Sequence, residues 1–115
     1  MPTFRSYAAL GDSFTEGVGD PDPTRPNGVR GWADRVAEVL AARTEGFRYA
    51  NLAIRGRKMR GFLDEQVDAA LAMDPDLVSA YVGGNDILRP SVDVDAVVGA
   101  YAEGLARLTA GGADL

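Results

Sequence analysis

Three short segments of this sequence carry the residue types that acyl-transfer chemistry requires. The first is Gly11-Asp12-Ser13, which places a serine hydroxyl directly after a short apolar run, where an exposed nucleophile could stand. A histidine normally takes the proton from such a hydroxyl, and the 115 residues contain no histidine. The segment therefore indicates the nucleophile of a serine hydrolase without its usual base.

The other two segments offer hydrogen-bond donors. Gly56, at the end of the segment 51–56, could bring its backbone N–H close to a reacting carbonyl oxygen, because no side chain obstructs the approach. Gly83 and Gly84 permit a sharp turn before Asn85, whose side-chain amide is a further donor. Gly56 and Asn85 are therefore candidates for stabilising an oxyanion.

Each segment also has a structural interpretation that involves no chemistry. Ser13 and Glu16 have the Ser-x-x-Glu spacing of a capping box around a short helical turn. Gly56 could be an ordinary turn glycine, and Gly-Gly-Asn-Asp at residues 83–86 is also a favourable turn sequence. Taken singly, the segments favour these interpretations. We expect Asp12 to organise its loop rather than to act as a catalytic acid, because its side chain should diverge from that of the adjacent serine.

Three further features lie near these segments. Residues 17–31 form a loop rich in proline and glycine, far longer than a usual strand-to-helix connection and typical of loops that carry binding function. Trp32 is expected to anchor the core rather than to contact a substrate. Arg30 and the basic residues from Arg55 to Arg60 could attract an anionic acyl substrate or could simply be solvated.

The spacing of apolar residues predicts three strands that alternate with three helices. The strands are predicted over residues 7–10, 47–52 and 77–82, and the helices over 32–43, 59–71 and 94–108. This order favours the α/β class, with a parallel sheet, right-handed crossovers and helices on the faces of the sheet. The polar segments then follow the carboxyl ends of the strands, where open α/β sheets bind ligands.

Aspartate and glycine residues mark the ends of the third predicted helix. Asp93 is expected to cap its start, and Gly111-Gly112 is expected to end it. Gly99 and Gly104 lie inside the helix, and each should weaken it by about 1 kcal/mol relative to alanine.

The three segments occur in the order and with the spacing of the first three motif blocks of SGNH, or GDSL-type, hydrolases, which this sequence resembles over residues 11–86. The resemblance implies a three-layer α/β/α, flavodoxin-like sandwich with the first strand between the second and the third. It implies Ser13 as the nucleophile and an oxyanion hole made by the N–H groups of Ser13 and Gly56 and by the Asn85 amide. The residues implied to support these loops are Asp12, Gly83, Gly84 and Asp86. No metal and no cofactor is implied.

The late Asp-x-x-His block of that family, which supplies the base and its orienting aspartate, has no counterpart in this sequence. We therefore expect residues 1–115 to be the N-terminal portion of a single SGNH hydrolase domain, truncated after the third helix. Asp114-Leu115 repeats the Asp76-Leu77 pattern that opens the third strand, as though a fourth strand were beginning. This segment alone should be nearly inactive, and its exposed sheet edge could allow self-association.

Composition narrows the expected partners. A net charge of −5 argues against nucleic acid, and the absence of cysteine excludes disulfides and thiolate metal sites. The sequence shows neither a leader with an apolar core nor a run of about 18 apolar residues. We therefore expect no membrane span, a cytoplasmic location, and a small-molecule acyl ester as the partner.

Two alternatives to an ester hydrolase of the esterase or lipase type remain open. One is a flavodoxin-like module that holds a phosphate or nucleotide in the loop 11–17, which would use Ser13 and Thr15 but would give no role to Gly56 or to residues 83–86. The other is a non-catalytic relative that binds acylated ligands without turnover.

Overall fold

A central strand, β1 (Ser6–Gly11), organises the sheet in the computed structural model, which describes residues 3–115. β2 (Arg48–Asn51) and β3 (Leu77–Tyr81) pair with it in parallel, so that the strand order is β2-β1-β3. Every residue of β1 is buried, as expected for a parallel strand that is covered on both faces. The predicted α/β class and the central position of the first strand are confirmed.

Helical segments connect the strands and cover the sheet. They are α1 (Ser13–Glu16), α2 (Trp32–Arg43), α3 (Met59–Gly61), a π-helical turn (Phe62–Gln66), α4 (Val67–Met73), α5 (Gly84–Ile87) and α6 (Val94–Ala110). The three predicted helices are present, but the π-helical turn divides the second one, which the apolar spacing did not predict. α1 and α5 are single turns that directly follow β1 and β3. Within the described part of the chain, no helix combines the length and the apolar character needed to cross a membrane.

Alternate residues of β1 face two separate cores. Tyr7 and Ala9 pack against α2 through its buried Ala33 and Ala37. On the opposite face, Ala8 and Leu10 pack against the π-helical turn, α4 and α6. The second core contains, with these two residues, Met59, Phe62, Val67, Ala70, Val78, Leu108 and Ala113. The two cores produce the three-layer arrangement that the resemblance implied.

The outer edge of β3 also has a parallel partner. Asp114 forms a parallel bridge with Leu77, in which its carbonyl accepts from the N–H of Val78 (2.8 Å) and its own N–H donates to the carbonyl of Asp76 (2.8 Å). The residue at which the sequence suggested a fourth strand therefore pairs in the direction that such a strand would take.

α6 contacts the second core through a glycine. Asp93 caps the helix as predicted, because its carboxylate accepts from the N–H of Ala96 (3.1 Å). Gly104 is buried, and a Cβ at this position would lie 2.5 Å from Cε2 of Phe62. Gly99 has open space around it, with no atom within 4 Å of such a Cβ. The two glycines therefore differ in role, although helix propensity predicts the same effect for both.

We expect Gly104→Ala and Gly99→Ala to change the free energy of unfolding in opposite directions. The first substitution should destabilise the protein by about 1–3 kcal/mol, because the methyl group displaces Phe62 from the core. The second should stabilise it by about 0.5–1 kcal/mol through helix propensity alone. Urea unfolding followed by circular dichroism measures both values, and a stabilising Gly104→Ala would contradict the described packing.

Candidate active site

Ser13 is the first residue of α1, immediately beyond β1, and it is half-buried. Asp12 caps this short helix, because its Oδ1 accepts from the N–H of Phe14 (3.1 Å). The capping-box interpretation of Ser13 and Glu16 is therefore wrong, since the neighbouring aspartate takes the capping position. Because N–H groups in a first helical turn have no partner within the helix, the N–H of Ser13 can serve as a donor to a ligand.

Gly11 is the point at which β1 ends and three other elements meet it. Its N–H donates to Oε1 of Gln66 (2.9 Å), and its carbonyl accepts from Nε2 of the same residue (2.9 Å). The carbonyl also accepts from the N–H of Ile54 (3.2 Å). With φ at +154° and only 2.4 Å between a Cβ at this position and the carbonyl oxygen of Tyr81, no residue other than glycine fits.

The loop after β2 is attached to α1 by two side chains. Asn51 donates through Nδ2 to the carbonyl of Thr15 (2.9 Å) and accepts through Oδ1 from the N–H of Ala53 (3.1 Å). Glu16 accepts from both the backbone N–H of Arg55 and its guanidinium, at 2.6 Å in each case. The second predicted segment is therefore held directly beside the first.

Gly56 lies in a tight turn of this second loop. The N–H of Arg57 donates to the carbonyl of Ile54 (3.1 Å), and Gly56 has φ of +76°, as required at the third residue of a type II turn. Space is not the reason for glycine here, because no atom lies within 4 Å of a Cβ at this position. The backbone conformation itself selects glycine and leaves its face exposed.

The loop after β3 is attached in turn to the second loop. Asn85 donates through Nδ2 to the carbonyl of Arg57 (3.0 Å), and Asp86 accepts through Oδ2 from the N–H of Met59 (2.8 Å). Gly83 has φ of +120° and precedes α5, whose first residue, Gly84, is exposed. One N–H of the Asn85 amide is thus used to fix the side chain, and the second N–H on the same nitrogen remains for a ligand.

These contacts form a continuous series that joins the three predicted segments at the carboxyl edge of the sheet. The series runs from α1 through Asn51 and Glu16 to the second loop, and from there to Asn85 and Asp86. The sequence did not predict Gln66, which joins β1 to the π-helical turn. Its one signal is an amide on the apolar face of the predicted helix, four residues after Phe62.

The two ends of the loop formed by residues 17–31 are in contact with each other. A Cβ on Gly17 would lie 2.8 Å from the nitrogen of Gly31, and one on Gly31 would lie 2.6 Å from Cα of Gly17. Pro21 and Val29 form an antiparallel bridge across the loop. The loop therefore projects from a closed base that adjoins α1.

The basic residues near the site are largely neutralised. Four arginines have an acidic partner: Arg30 with Glu38, Arg55 with Glu16, Arg57 with Glu65 and Arg60 with Asp64. Hydrogen bonds from Arg55 lower the pKa of the Glu16 carboxyl. The arrangement gives little support to attraction of an anionic substrate. Among residues 3–115, no group of three or more histidine, cysteine, aspartate or glutamate side chains could hold a metal ion.

Aromatic surface lies next to Ser13. Phe14 and Tyr81 are about three-fifths exposed, at 60% and 59%, and their ring centroids are 5.0 Å apart. Trp32 lies 6.3 Å from Phe14 and packs against the core beneath α2. An apolar cavity of about 410 Å³ is lined by Tyr81, Gly83 and Gly84 among other residues. Apolar surface thus flanks the serine and the third loop.

The strand order, the serine turn and the joined loops define an α/β protein of the SGNH hydrolase class. A model of the family described as "GDSL-like Lipase/Acylhydrolase family" matches residues 9–115. The chain belongs to this family.

Several known proteins are similar to parts of this chain. The uncharacterized protein YpmR of Bacillus subtilis (strain 168) is 32% identical over 87 residues, which are 71% of this chain and 32% of that protein. The crystal structure of TesA matches with a TM-score of 0.76 and 28% identity over 95% of this chain and 57% of its own. A catalytic mutant of Axe2, an acetylxylan esterase from Geobacillus stearothermophilus, has the same fold, with a TM-score of 0.76, 22% identity and coverage of 96% of this chain and 57% of its own. This chain therefore spans little more than half the length of the two solved structures and a third of YpmR.

The Glu16–Arg55 contact between the first two loops should be visible in the pH dependence of stability. We expect Glu16→Gln to lower the free energy of unfolding at pH 7, because the ion pair with Arg55 is lost. The loss should not exceed about 1 kcal/mol, since Arg55 is largely exposed and solvent screens the pair. Since the pKa of Glu16 is lowered on folding, its contribution is full above the unfolded-state pKa and is lost as the pH falls through the folded-state pKa.

The measurement is urea unfolding between pH 7 and pH 3, with Glu45→Gln as the control for loss of one exposed negative charge. Glu45 follows α2 and is exposed. The difference between wild type and Glu16→Gln should disappear at the acidic end. A difference that persists unchanged at low pH would show that the ion pair does not join the loops.

Proposed function

We propose that the protein containing this chain hydrolyses esters by acyl transfer, with Ser13 as the nucleophile. The observation that carries this proposal is the position of Ser13 on a turn beyond the central strand. Hydrogen bonds tie the loop of Gly56 to that turn, and the loop of Asn85 to the loop of Gly56. In the first step, Oγ of Ser13 attacks the ester carbonyl and gives its proton to a base that lies outside this sequence. The base then returns the proton to the departing oxygen, so that the alcohol leaves, and water releases the acid from the acyl-enzyme.

Three donors are proposed to stabilise the negative charge that develops on the carbonyl oxygen. They are the N–H of Ser13, the N–H of Gly56 and the Asn85 amide. Asp12 already satisfies the N–H of Phe14, and this bond fixes the turn that carries the serine. The carbonyl of Arg57 similarly fixes the Asn85 side chain. The donors are thus held in place before a substrate binds, so that little reorganisation accompanies the reaction.

A neutral ester with an apolar part is the proposed class of substrate. Arg55 and Arg57 are paired with carboxylates, so a negatively charged acyl group gains little from them. The exposed rings of Phe14 and Tyr81, next to the serine, can bury apolar surface of the ligand.

Replacement of the proposed nucleophile tests the reaction directly. In the full-length protein, Ser13→Ala should lower kcat for p-nitrophenyl acetate and butyrate by about 10⁴- to 10⁶-fold, because no other hydroxyl replaces the attacking atom. Ser6→Ala is the matched control. Ser6 lies at the other end of β1, where its buried hydroxyl accepts from the N–H of Asp76 (3.0 Å). If Ser13→Ala hydrolysed the esters at the wild-type rate, the serine mechanism would be wrong.

Replacement of the proposed oxyanion donor tests the second part. Asn85→Ala should lower kcat/KM by about 10²- to 10³-fold, or about 3–4 kcal/mol of transition-state stabilisation, mainly through kcat. Glu45→Gln, which alters an exposed side chain after α2, should leave the rate close to wild type. Steady-state kinetics with the same two esters measure both variants, and equal effects on kcat would exclude a specific role for the Asn85 amide.

A further inference from the structure

We propose that Gln66 is a positioning residue, which sets Ser13 relative to the oxyanion donors by holding the backbone of Gly11. This inference rests on the proposed function. Gln66 touches neither the serine nor the proposed donors through any described hydrogen bond, and it acts through the peptide groups of the glycine two residues before the nucleophile.

The environment of Gln66 shows that its amide is committed to this contact. The residue is 3% exposed. Its carbonyl oxygen accepts from the N–H of Gly11, and its NH₂ group donates to the carbonyl of the same residue, each at 2.9 Å. Ordering and burying a glutamine costs more side-chain entropy and desolvation than burying a leucine on the same apolar helix face. The two bonds offset this cost, because they satisfy buried peptide groups of Gly11, and they fix the orientation of those groups at the end of β1.

The backbone around Gln66 points to the same role. Gln66 ends the π-helical turn, in which the N–H of Val67 donates to the carbonyl of Phe62. A π-helical turn contains one more residue than an α-helical turn and is uncommon, and such turns occur frequently at functional sites. Here the wider turn allows Phe62, Gln66 and Val67 all to be buried.

The same helical segment connects the first and third loops. At its start, the N–H of Met59 donates to Asp86 in the loop that carries Asn85 (2.8 Å). At the π-helical turn, Gln66 holds the end of β1. The separation between the serine turn and the asparagine loop is therefore set in part by one short rigid element, from Met59 to Gln66.

Gly11 is well placed to transmit this constraint to the reacting groups. Its carbonyl also accepts from Ile54, two residues before Gly56, and its Cα lies against the carbonyl of Tyr81. A tilt of the Gly11 peptide groups would move Ser13 relative to Gly56. Misplacement of reacting atoms by about 1 Å can lower a rate by about 100-fold.

The experiment compares Gln66→Leu with Ser6→Ala in the full-length protein. Gln66→Leu removes the two hydrogen bonds to Gly11 at one end of β1. Ser6→Ala removes the hydrogen bond that the hydroxyl at the other end of β1 accepts from the N–H of Asp76. We expect Gln66→Leu to lower kcat for p-nitrophenyl butyrate by about 10- to 100-fold with little change in KM, because substrate binding is retained while the serine is displaced. The kcat of Ser6→Ala should stay within about threefold of the wild-type value, even if its Tm falls by as much as the Tm of Gln66→Leu.

Gln66→Glu provides a second test that does not depend on how well the leucine variant folds. In this contact the glutamine amide donates one hydrogen bond and accepts one. A protonated glutamic acid can do the same through its O–H and its carbonyl oxygen, whereas the ionised carboxylate has no donor. Burial raises the pKa of such a carboxyl. The ratio of kcat for Gln66→Glu to kcat for wild type should therefore rise as the pH falls from 8 to 5, while the same ratio for Ser6→Ala stays constant.

The outcomes separate this inference from the proposed function. If Ser13→Ala abolishes hydrolysis but Gln66→Leu matches Ser6→Ala, and the Gln66→Glu ratio does not change with pH while circular dichroism shows a folded protein, the positioning role is excluded and the serine mechanism stands. If hydrolysis persists in Ser13→Ala, the proposed function fails, whatever the Gln66 variants do. A loss of kcat in Gln66→Leu together with a pH-dependent ratio for Gln66→Glu supports the inference.

Discussion

The rest of the candidate site depends on how the backbone of Gly11 is satisfied where β1 ends. β1 pairs with β3 as far as Gly11 and Tyr81, whereas its pairing with β2 ends at Ala9 and Asn51. After Gly11 the chain turns towards Ser13. Buried peptide groups must find partners, and here they find them in Gln66 and Ile54 rather than in a neighbouring strand. The absence of a side chain lets Tyr81 approach closely. The direction of the chain at the serine is thus fixed by contacts from several elements.

Two kinds of side chain stabilise different parts of this structure. Apolar residues on alternating positions of β1 build the two cores and so fix the sheet. Amides and carboxylates fix the loops, because Asn51, Gln66, Asn85 and Asp86 each bond to a backbone group of another segment. Loop backbone has no ladder of its own, and one well-placed polar side chain can supply the missing partner. The site is therefore held by hydrogen bonds on a frame that is held by packing.

This division explains what the sequence could predict. Apolar periodicity gave the strands and the long helices to within one or two residues at most ends, and the resemblance supplied the strand order. Periodicity could not reveal the π-helical turn or Gln66, because the partner of that amide is a backbone group 55 residues away. Rules based on local sequence also failed at two positions. Asp12 caps α1 in place of Ser13, and the close contact with Phe62, rather than helix propensity, determines the need for glycine at position 104.

The contact between Gly17 and Gly31 makes the intervening loop a self-contained excursion from the fold. Since its ends meet, the cost of closing it depends only weakly on its length, and the residues between them can be lengthened, shortened or exchanged without a change in the path of the chain at either end. The base of the loop adjoins α1, so a new loop would alter what surrounds the serine while the serine itself keeps its place. Evolution, or a protein engineer, could in this way vary ligand preference independently of the reactive turn.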